Sequence, residues 1–276
     1  MKANRIATVL GLASILVLAA CAPAAPATPA DTPEEGPVSI IVGASVDPHS
    51  YILRHIEPYL AEEGILLDIR EFTDFATLNP ALVGGDVDAN FFQHTPFLET
   101  FMEDSGEELV AQAHVFIAPL ALHSTEVDSV EDIPEGATIA VPNDVTNHAR
   151  ALRVLEYHGL IEIDEAAGAL ATEGNITGNP LGLQFVAVDA PMLPAALQDT
   201  GFAVINVSIA LQAGMNPAED AIARETAIGS PYLNVFVTRS DNADDPAFAR
   251  VAYWLQSDSL RDFILESYGG NIVPGF

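Results

Sequence analysis

An α/β fold is predicted for residues 38–276 from three observations. Short, nearly continuous apolar runs that favour buried strands alternate with longer segments whose apolar residues recur at helical spacing. The first three segments, a strand at 38–42, a helix at 50–63 and a strand at 66–70, form a predicted βαβ unit. The 239 residues from 38 to 276 are rich in Val, Ile, Leu and Ala, enough for one large domain or two lobes of ordinary size.

Glycines mark the ends of the first elements. The strand that begins at Val38 ends at Gly43, and the helix that begins near Ser50 ends at Gly64. Further strands are predicted over residues 111–116, 138–141, 184–188, 203–206 and 234–238, with helices between most of them.

A lipoprotein signal is predicted at the amino terminus. Lys2 and Arg5 flank an apolar stretch at 6–20, whose 15 residues are too few to span a hydrocarbon core of about 30 Å comfortably. The sequence LAAC at 18–21 follows, which predicts a signal peptide over 1–20 and a lipidated Cys21 as the mature amino terminus. A free structural cysteine is the alternative, and this position disfavours it. Cys21 is the only cysteine, so disulfides play no part.

Residues 21–37 are predicted to form an extended tether. They contain five prolines and few bulky apolar residues, a composition that favours polyproline conformations. At about 3.1 Å per residue the tether would hold the domain up to roughly 50 Å from a bilayer. The expected location is the extracytoplasmic face of the cell membrane, with the choice between inner and outer membrane left open.

The charge balance is strongly acidic. The formal net charge is −29, and loss of residues 1–20 would remove Lys2 and Arg5 and change it to −31, which is 39 acidic side chains against eight arginines. Such a surface repels polyanions, so nucleic acid is excluded as a partner. A solvated acidic surface explains the excess better than an acidic binding site.

A polar pair is predicted on one helix. The strand at 138–141 is followed by a helix with Asn143 or Asp144 as its N-cap, and Asn147 and Arg150, three residues apart, share a face of it. Arg150 would form a bidentate pair with a carboxylate, and Asn147 would add a neutral hydrogen bond. The alternative is a surface arginine that pairs with an acidic side chain of the protein.

Aromatic side chains crowd the segment 91–97. Phe91, Phe92, Phe97 and His94 fall within seven residues, and Phe75 precedes them. Such crowding marks either a core or an apolar pocket, and composition alone favours the core.

Several ordered motifs resemble the NlpA/MetQ family of methionine-binding lipoproteins of ABC importers. They lie at 88–94, 142–150, 204–206, 210–214 and 230–235. The resemblance implies a two-lobed, periplasmic-binding-protein-like (type II) α/β fold with the ligand in the cleft between lobes. Residues 38–118 plus 235–276 would form one lobe and residues 121–230 the other. It further implies a monomer without cofactor that catalyses nothing and delivers methionine to an ABC permease and its ATPase.

The resemblance also assigns roles to residues. Arg150 would bind the ligand carboxylate, Asn206 and Asn234 would hold the backbone polar groups, and Asn147 would support them. The side chain would be enclosed by aromatic and imidazole rings: Phe75, Phe91, Phe92, Phe97, His94 and His114. Two positions depart from the family, Phe75 where tyrosine is usual and His148 where a small or varied residue is usual. The partner of the ligand ammonium and the preferred enantiomer stay open.

Three other functions are considered. The same fold could bind a methionyl dipeptide or another apolar amino acid. A metal-binding lipoprotein is suggested by seven histidines, but they form no His-x-His pair and no His-Glu-x-x-His motif. A hydrolase is disfavoured because the segment 43–47 lacks the second glycine of a nucleophile elbow.

Overall fold

A computed structural model describes residues 36–276, which fold around two main β-sheets. The predicted signal peptide, the predicted lipidation site Cys21 and the tether up to residue 35 lie outside the described residues. Within residues 36–276, none of the helices combines the length and the apolar character needed to cross a bilayer.

The strands make a six-stranded sheet, a five-stranded sheet and a two-stranded ribbon. In chain order they are β1 (Val38–Ser45), β2 (Ile65–Phe72), β3 (Ala89–His94), β4 (Leu109–Ile117), β5 (Ala121–Ser124), β6 (Thr138–Pro142), β7 (Glu162–Ile163), β8 (Ile176–Gly178), β9 (Gln184–Val188), β10 (Gly201–Ile205), β11 (Ala221–Arg224), β12 (Leu233–Arg239) and β13 (Val273–Pro274). The first sheet has the order β13-β4-β12-β3-β1-β2 and the second β11-β5-β10-β6-β9, while β7 and β8 pair separately.

Nine α-helices lie within residues 36–276. They are α1 (Tyr51–Glu62), α2 (Leu78–Val83), α3 (Thr95–Ser105), α4 (Val145–Tyr157), α5 (Leu193–Thr200), α6 (Val207–Gln212), α7 (Pro217–Asp220), α8 (Pro246–Leu255) and α9 (Asp258–Tyr268). Helix α1 packs against α8 and α9 over the first sheet, where its buried residues Ile52, Ile56 and Leu60 join a core with Val251 and Ile264. Helix α4 covers the second sheet with Leu152 and Leu155.

The two-lobed architecture follows from the sheet topology. Parallel pairing of β1 with β2 and β3, and of β6 with β9 and β10, confirms the α/β fold class. The strands of the first sheet come from residues 38–117 and 233–274, and those of the second from 121–224. The chain therefore passes between the sheets twice, at 118–120 and at 225–232, which we call the two connections. The precise lobe boundaries stay a prediction.

Strands β1, β2, β4, β6, β9, β10 and β12 confirm the predicted strands, whereas β3, β5, β7, β8, β11 and β13 were not predicted. The predicted strand at 203–206 ends at Ile205, and Asn206 is instead the N-cap of α6. Strand β3 was not predicted over 89–94, because all six of its residues are buried, including Asn90, Gln93 and His94. Polar side chains inside a buried strand obscure the apolar pattern by which strands are recognised.

A β-bulge interrupts β3 at its aromatic residues. Phe236 of β12 pairs with Phe91, but the preceding Val235 pairs with Gln93, so Phe92 is an extra residue on β3. A bulge of this kind bends the strand and changes the direction of the side chains that follow it. Phe91 consequently points into the core of the first sheet, whereas Phe92, Gln93 and His94 all reach the cavity described next.

Candidate functional site

A cavity opens at the edges of both sheets where parallel strands end. His49 follows β1, His94 ends β3, Arg150 lies on the helix after β6 and Asn206 follows β10. Asn234 lies at the start of the antiparallel strand β12, which places it at the same edge. Ligands of open α/β sheets bind at this position, outside the carboxyl ends of the strands.

The cavity has about 420 Å³ of space not occupied by atoms, including its opening to solvent. Both sheets contribute to its wall, which consists of His49, Phe75, Phe92, Gln93, His94, Phe97, Ala118, Asn147, Arg150, Asn206, Val207, Ser208 and Asn234. Eight of the ten residues named from the sequence are among them. The other two, Phe91 and His114, lie elsewhere.

The N-terminus of α4 positions Asn147 and Arg150. Asp144 is the N-cap, and its Oδ1 accepts a hydrogen bond from the backbone N–H of Asn147 at 2.9 Å. One turn of helix then places Asn147 and Arg150 on the same face, each with 2 % of its surface exposed.

A chain of hydrogen bonds fixes the orientation of the amides. Both oxygens of Asp144 accept from Asn147 Nδ2 at 3.0 Å, because a carboxylate can only accept. Asn147 Oδ1 must then point the other way, where it accepts from Asn206 Nδ2 at 3.0 Å. This leaves Asn206 Oδ1 buried, with no hydrogen-bond partner among residues 36–276. The site therefore has an unpaired acceptor on its wall.

The same chain determines the state of His94. Its Nε2 lies 3.1 Å from Asn147 Oδ1 and donates to it, while its Nδ1 accepts from the backbone N–H of Phe97 at 3.2 Å. Burial, reinforced by the positive charge of Arg150, lowers the pKa of His94 to about 3. The imidazole is therefore neutral and acts as a fixed donor.

His49 belongs to the site although the sequence analysis gave it no role. Its Nε2 lies 2.8 Å from Asn234 Oδ1 and its Nδ1 lies 2.6 Å from Ser45 Oγ. Burial lowers the pKa of His49 to about 4, so it too is neutral. With Oδ1 bonded to His49, the Nδ2 group of Asn234 has no partner within residues 36–276. No local pattern could have revealed His49, because Asn234 is 185 residues away.

Arg150 reaches the cavity but is already paired there. Its Nε lies 3.2 and 3.1 Å from the two oxygens of Glu225, and its Nη2 donates to Ala118 O at 2.8 Å and also to Glu225. The guanidinium lies 4.1 Å from the ring centre of Tyr232. Nη1 makes no hydrogen bond within the described part of the chain. Arg150 thus pairs with an acidic side chain of the protein, but it is buried and lines the cavity, and its binding of a ligand carboxylate stays a prediction.

Aromatic rings close the other end of the cavity. The rings of Phe92 and Phe97 meet edge to face with centroids 5.6 Å apart, and those of Phe75 and Phe92 lie 6.1 Å apart. The ring centroid of His94 lies 6.1 Å from that of Phe97 and 5.1 Å from that of Tyr232. The site therefore has a polar end at Arg150 and an apolar end at the phenylalanines.

Phe91 and His114 lie outside the cavity. Phe91 is fully buried in the first sheet and packs against His49 with ring centroids 4.8 Å apart, so it supports the site from behind. His114 is exposed on β4, on the far side of β12 from β3; its side chain makes no hydrogen bond within residues 36–276, and its backbone carbonyl accepts from Gln256 Nε2 at 3.0 Å. The bulge in β3 and the strand order are the physical reasons for these two positions.

Gln93 is a further wall residue that had no predicted role. Its Nε2 donates to Asn79 Oδ1 at 2.7 Å and to Asn90 Oδ1 at 3.1 Å, and its Oε1 accepts from Asn79 Nδ2 at 2.8 Å. These three buried amides satisfy one another, which fixes the wall behind Phe92. Within residues 36–276, no group of three or more His, Cys, Asp or Glu side chains is arranged to hold a metal ion.

The neutral histidines make stability depend on pH. His49 and His94 have folded-state pKa values of about 4 and 3, whereas an unfolded histidine has a pKa near 6.5. Between these values the unfolded state binds protons that the folded state excludes. We therefore expect the free energy of unfolding to fall as pH decreases from 7 to 4, by up to about 1.4 kcal/mol per pH unit for each histidine.

Urea unfolding of the ligand-free protein at pH 7, 6 and 5 measures this dependence. The His94→Gln variant should show a smaller loss of stability over the same interval, because its side chain does not titrate. A loss in the variant equal to that in the parent protein would contradict the assignment of a neutral buried His94.

Comparison with known proteins gives concordant matches. Residues 40–276 match the NlpA lipoprotein family. The chain is 35% identical over 246 residues to the D-methionine-binding lipoprotein MetQ of Escherichia coli, which covers 88% of this chain and 90% of that protein. It is 37% identical over 246 residues to the methionine-binding lipoprotein MetQ of Bacillus subtilis, covering 87% and 89%.

A solved structure agrees in fold. The nutrient-binding protein of Burkholderia cenocepacia bound to methionine superposes with a TM-score of 0.83 at 36% identity, over 86% of this chain and 100% of that one. This match confirms the two-lobed substrate-binding fold.

Proposed function

Because the chain belongs to the NlpA lipoprotein family, we propose that it is an extracytoplasmic solute-binding lipoprotein that captures methionine, as either or both enantiomers, in the cavity between its lobes. The names of the relatives and the methionine bound to the Burkholderia protein support this ligand. The polar and apolar residues that line the cavity support it independently.

The unpaired acceptor on Asn206 is the observation that carries the proposal. A zwitterion taken out of water needs partners for both of its charges. Asn206 Oδ1 offers an acceptor to the ammonium group, while Arg150 Nη1 and Asn234 Nδ2 offer donors to the carboxylate. Donors and an acceptor on one small wall match the α-amino and α-carboxyl groups of an amino acid.

The apolar end of the cavity suits a thioether. Phe75, Phe92 and Phe97 present ring edges and faces to the space where the side chain would lie. Contacts between sulfur and aromatic rings contribute about 0.3–1.5 kcal/mol each. Phe75 has no hydroxyl, so selection at this end rests on apolar contact and shape.

Lobe closure is the proposed mechanism of capture. Residues 38–118 plus 235–276 would move as one lobe and residues 121–230 as the other, about the two connections. A ligand that touches Asn234 and His94 on one lobe and Arg150 and Asn206 on the other stabilises the closed state by its differential affinity. A micromolar dissociation constant, about 8 kcal/mol, would suit a scavenger.

Delivery and anchoring complete the proposal. A lipid on Cys21 would hold the protein at the extracytoplasmic face of the membrane, and the loaded protein, as a monomer, would pass its ligand to an ABC permease driven by its ATPase. The protein would perform no catalysis itself, in keeping with its membership of a lipoprotein family that binds solutes.

A thermal-shift panel tests the proposed ligand. L-methionine, D-methionine, methionyl dipeptides, leucine and zinc chloride are added separately to the purified protein. A ligand at 100 times its dissociation constant should stabilise the fold by about 2.7 kcal/mol. We expect methionine to raise the melting temperature and zinc to leave it unchanged. A panel in which leucine or a dipeptide stabilises the protein and neither enantiomer of methionine does so would overturn the assignment.

A further inference from the structure

A second cavity adjoins the apolar end of the first, and we call it the outer chamber. Phe75 and Phe97 line both cavities and form the partition between them. The outer chamber has about 890 Å³ of space not occupied by atoms, including its opening to solvent. It lies between α3 with the turn at Phe75–Thr77 on one lobe and the start of α4 on the other.

The lining of the chamber is mainly apolar and includes negative charge. Ala76, Phe101 and Val145 contribute apolar surface. Its lining includes two carboxylates, Asp104 and Asp144, and no lysine or arginine. Asp144 is occupied as the cap of α4, whereas Asp104 is exposed and forms no ion pair within residues 36–276.

On the Phe75 side of the partition, the ring makes only apolar contacts. This residue lies in a three-residue turn, its ring has no polar atom, and the ring of Phe92 lies 6.1 Å away. An amino acid held at Arg150, Asn206 and Asn234 would direct its side chain toward this partition, where Phe75 and Phe97 line the same cavity. A longer chain would therefore reach the ring of Phe75, with the space of the outer chamber behind it.

We propose that the outer chamber receives the ends of side chains longer than that of methionine. The binding site then takes α-amino acids with extended S-alkyl chains, accepts a neutral or positively charged chain end and rejects a negatively charged one. This inference rests on the proposed function, because it requires the first cavity to hold the amino-acid backbone.

Titration calorimetry on the full-length protein tests the length of the side chain. We expect S-butylhomocysteine to bind within about tenfold of methionine, a difference of about 1.4 kcal/mol or less. If methionine binds but the butyl compound loses more affinity than this, the proposed role of the outer chamber is wrong and the proposed function is unaffected. Failure of methionine itself would overturn both.

A bulky substitution in the outer chamber tests whether the side chain of the ligand enters it. Val145 is exposed at the start of α4 and lines the outer chamber but not the first cavity. Val145→Trp should weaken binding of S-butylhomocysteine by about tenfold or more and leave methionine binding within about twofold. Equal effects on both ligands, or no effect on either, would contradict the proposal.

Charged analogues test the edge of the chamber. S-(4-aminobutyl)homocysteine should bind at least about fivefold more tightly than S-(3-carboxypropyl)homocysteine, because Asp104 and Asp144 attract the first and repel the second. Asp104→Lys should reduce or reverse this preference without a change in methionine binding. A preference that the substitution does not alter would show that the chain end lies outside the chamber.

Discussion

Arg150→Ala is expected to abolish methionine binding and also to destabilise the empty protein. Truncating one member of a buried charge pair costs about 2–5 kcal/mol in binding, so affinity should fall about 100-fold or more. The fold should lose about 3–5 kcal/mol, because Glu225, with only 14% of its side chain exposed, is left without its cation. Calorimetry and urea unfolding measure the two effects separately.

A double variant separates the two roles of Arg150. Arg150→Ala with Glu225→Gln removes the unpaired carboxylate, so stability should recover in large part while methionine binding stays lost. Arg153→Ala is the matched control, since Arg153 lies one turn away in a partly exposed pair with Glu156 and its loss should cost less than about 1 kcal/mol.

The ligand supplies a second control for Arg150. 3-(Methylthio)propylamine is methionine without its carboxylate. If Arg150 binds the carboxylate, the Arg150→Ala protein should bind methionine and this amine equally weakly. A variant that still prefers methionine strongly over the amine would show that another group recognises the carboxylate.

Asn206→Leu is the substitution with the second largest expected effect. It removes the acceptor proposed for the ammonium group, so methionine would be buried with an unpaired positive charge. An unpaired buried polar group costs about 1–3 kcal/mol, and more when it is charged, so affinity should fall by about 100-fold. The fold should lose only about 1 kcal/mol, since Asn206 makes a single side-chain hydrogen bond, to Asn147.

The deaminated ligand tests the assignment of Asn206. 4-(Methylthio)butanoate has the carboxylate and thioether of methionine but no amino group. The parent protein should bind it far more weakly than methionine, and Asn206→Leu should bind the two with similar affinity. If the variant still prefers methionine over 4-(methylthio)butanoate as strongly as the parent protein does, an acceptor other than Asn206 binds the ammonium group.

Local patterns account for what could be predicted of the fold. Strand β1, helix α1 and strand β2 have apolar spacing and glycine stops that are readable within a few residues of each other. Strand β3 escaped prediction because its buried amides are satisfied by Asn79, which lies outside the strand. Asn206 was placed one position too far inside a strand, since a cap cannot be distinguished from a strand end by hydropathy.

The residues of the site likewise divide into those that local patterns predict and those that depend on contacts between distant parts of the chain. Asn147 and Arg150 were found together because helical spacing is a local property of the chain. Glu225 was missed because it pairs with Arg150 across 75 residues, and no pattern in the sequence records that contact. The resemblance to the family indicated the aromatic residues as a group, but only the bulge in β3 separates Phe92, at the cavity, from Phe91, in the core.

The partners of Arg150 link recognition to motion. Ala118 lies on the first connection between the sheets, and Glu225 and Tyr232 lie on the second. The guanidinium of Arg150 therefore contacts both connections. A displacement of Arg150 by an incoming carboxylate would therefore alter its contacts with both connections. If the lobes close as proposed, the residue that binds the ligand carboxylate also contacts both connections, and we expect the loaded and the empty protein to differ in the angle between the lobes.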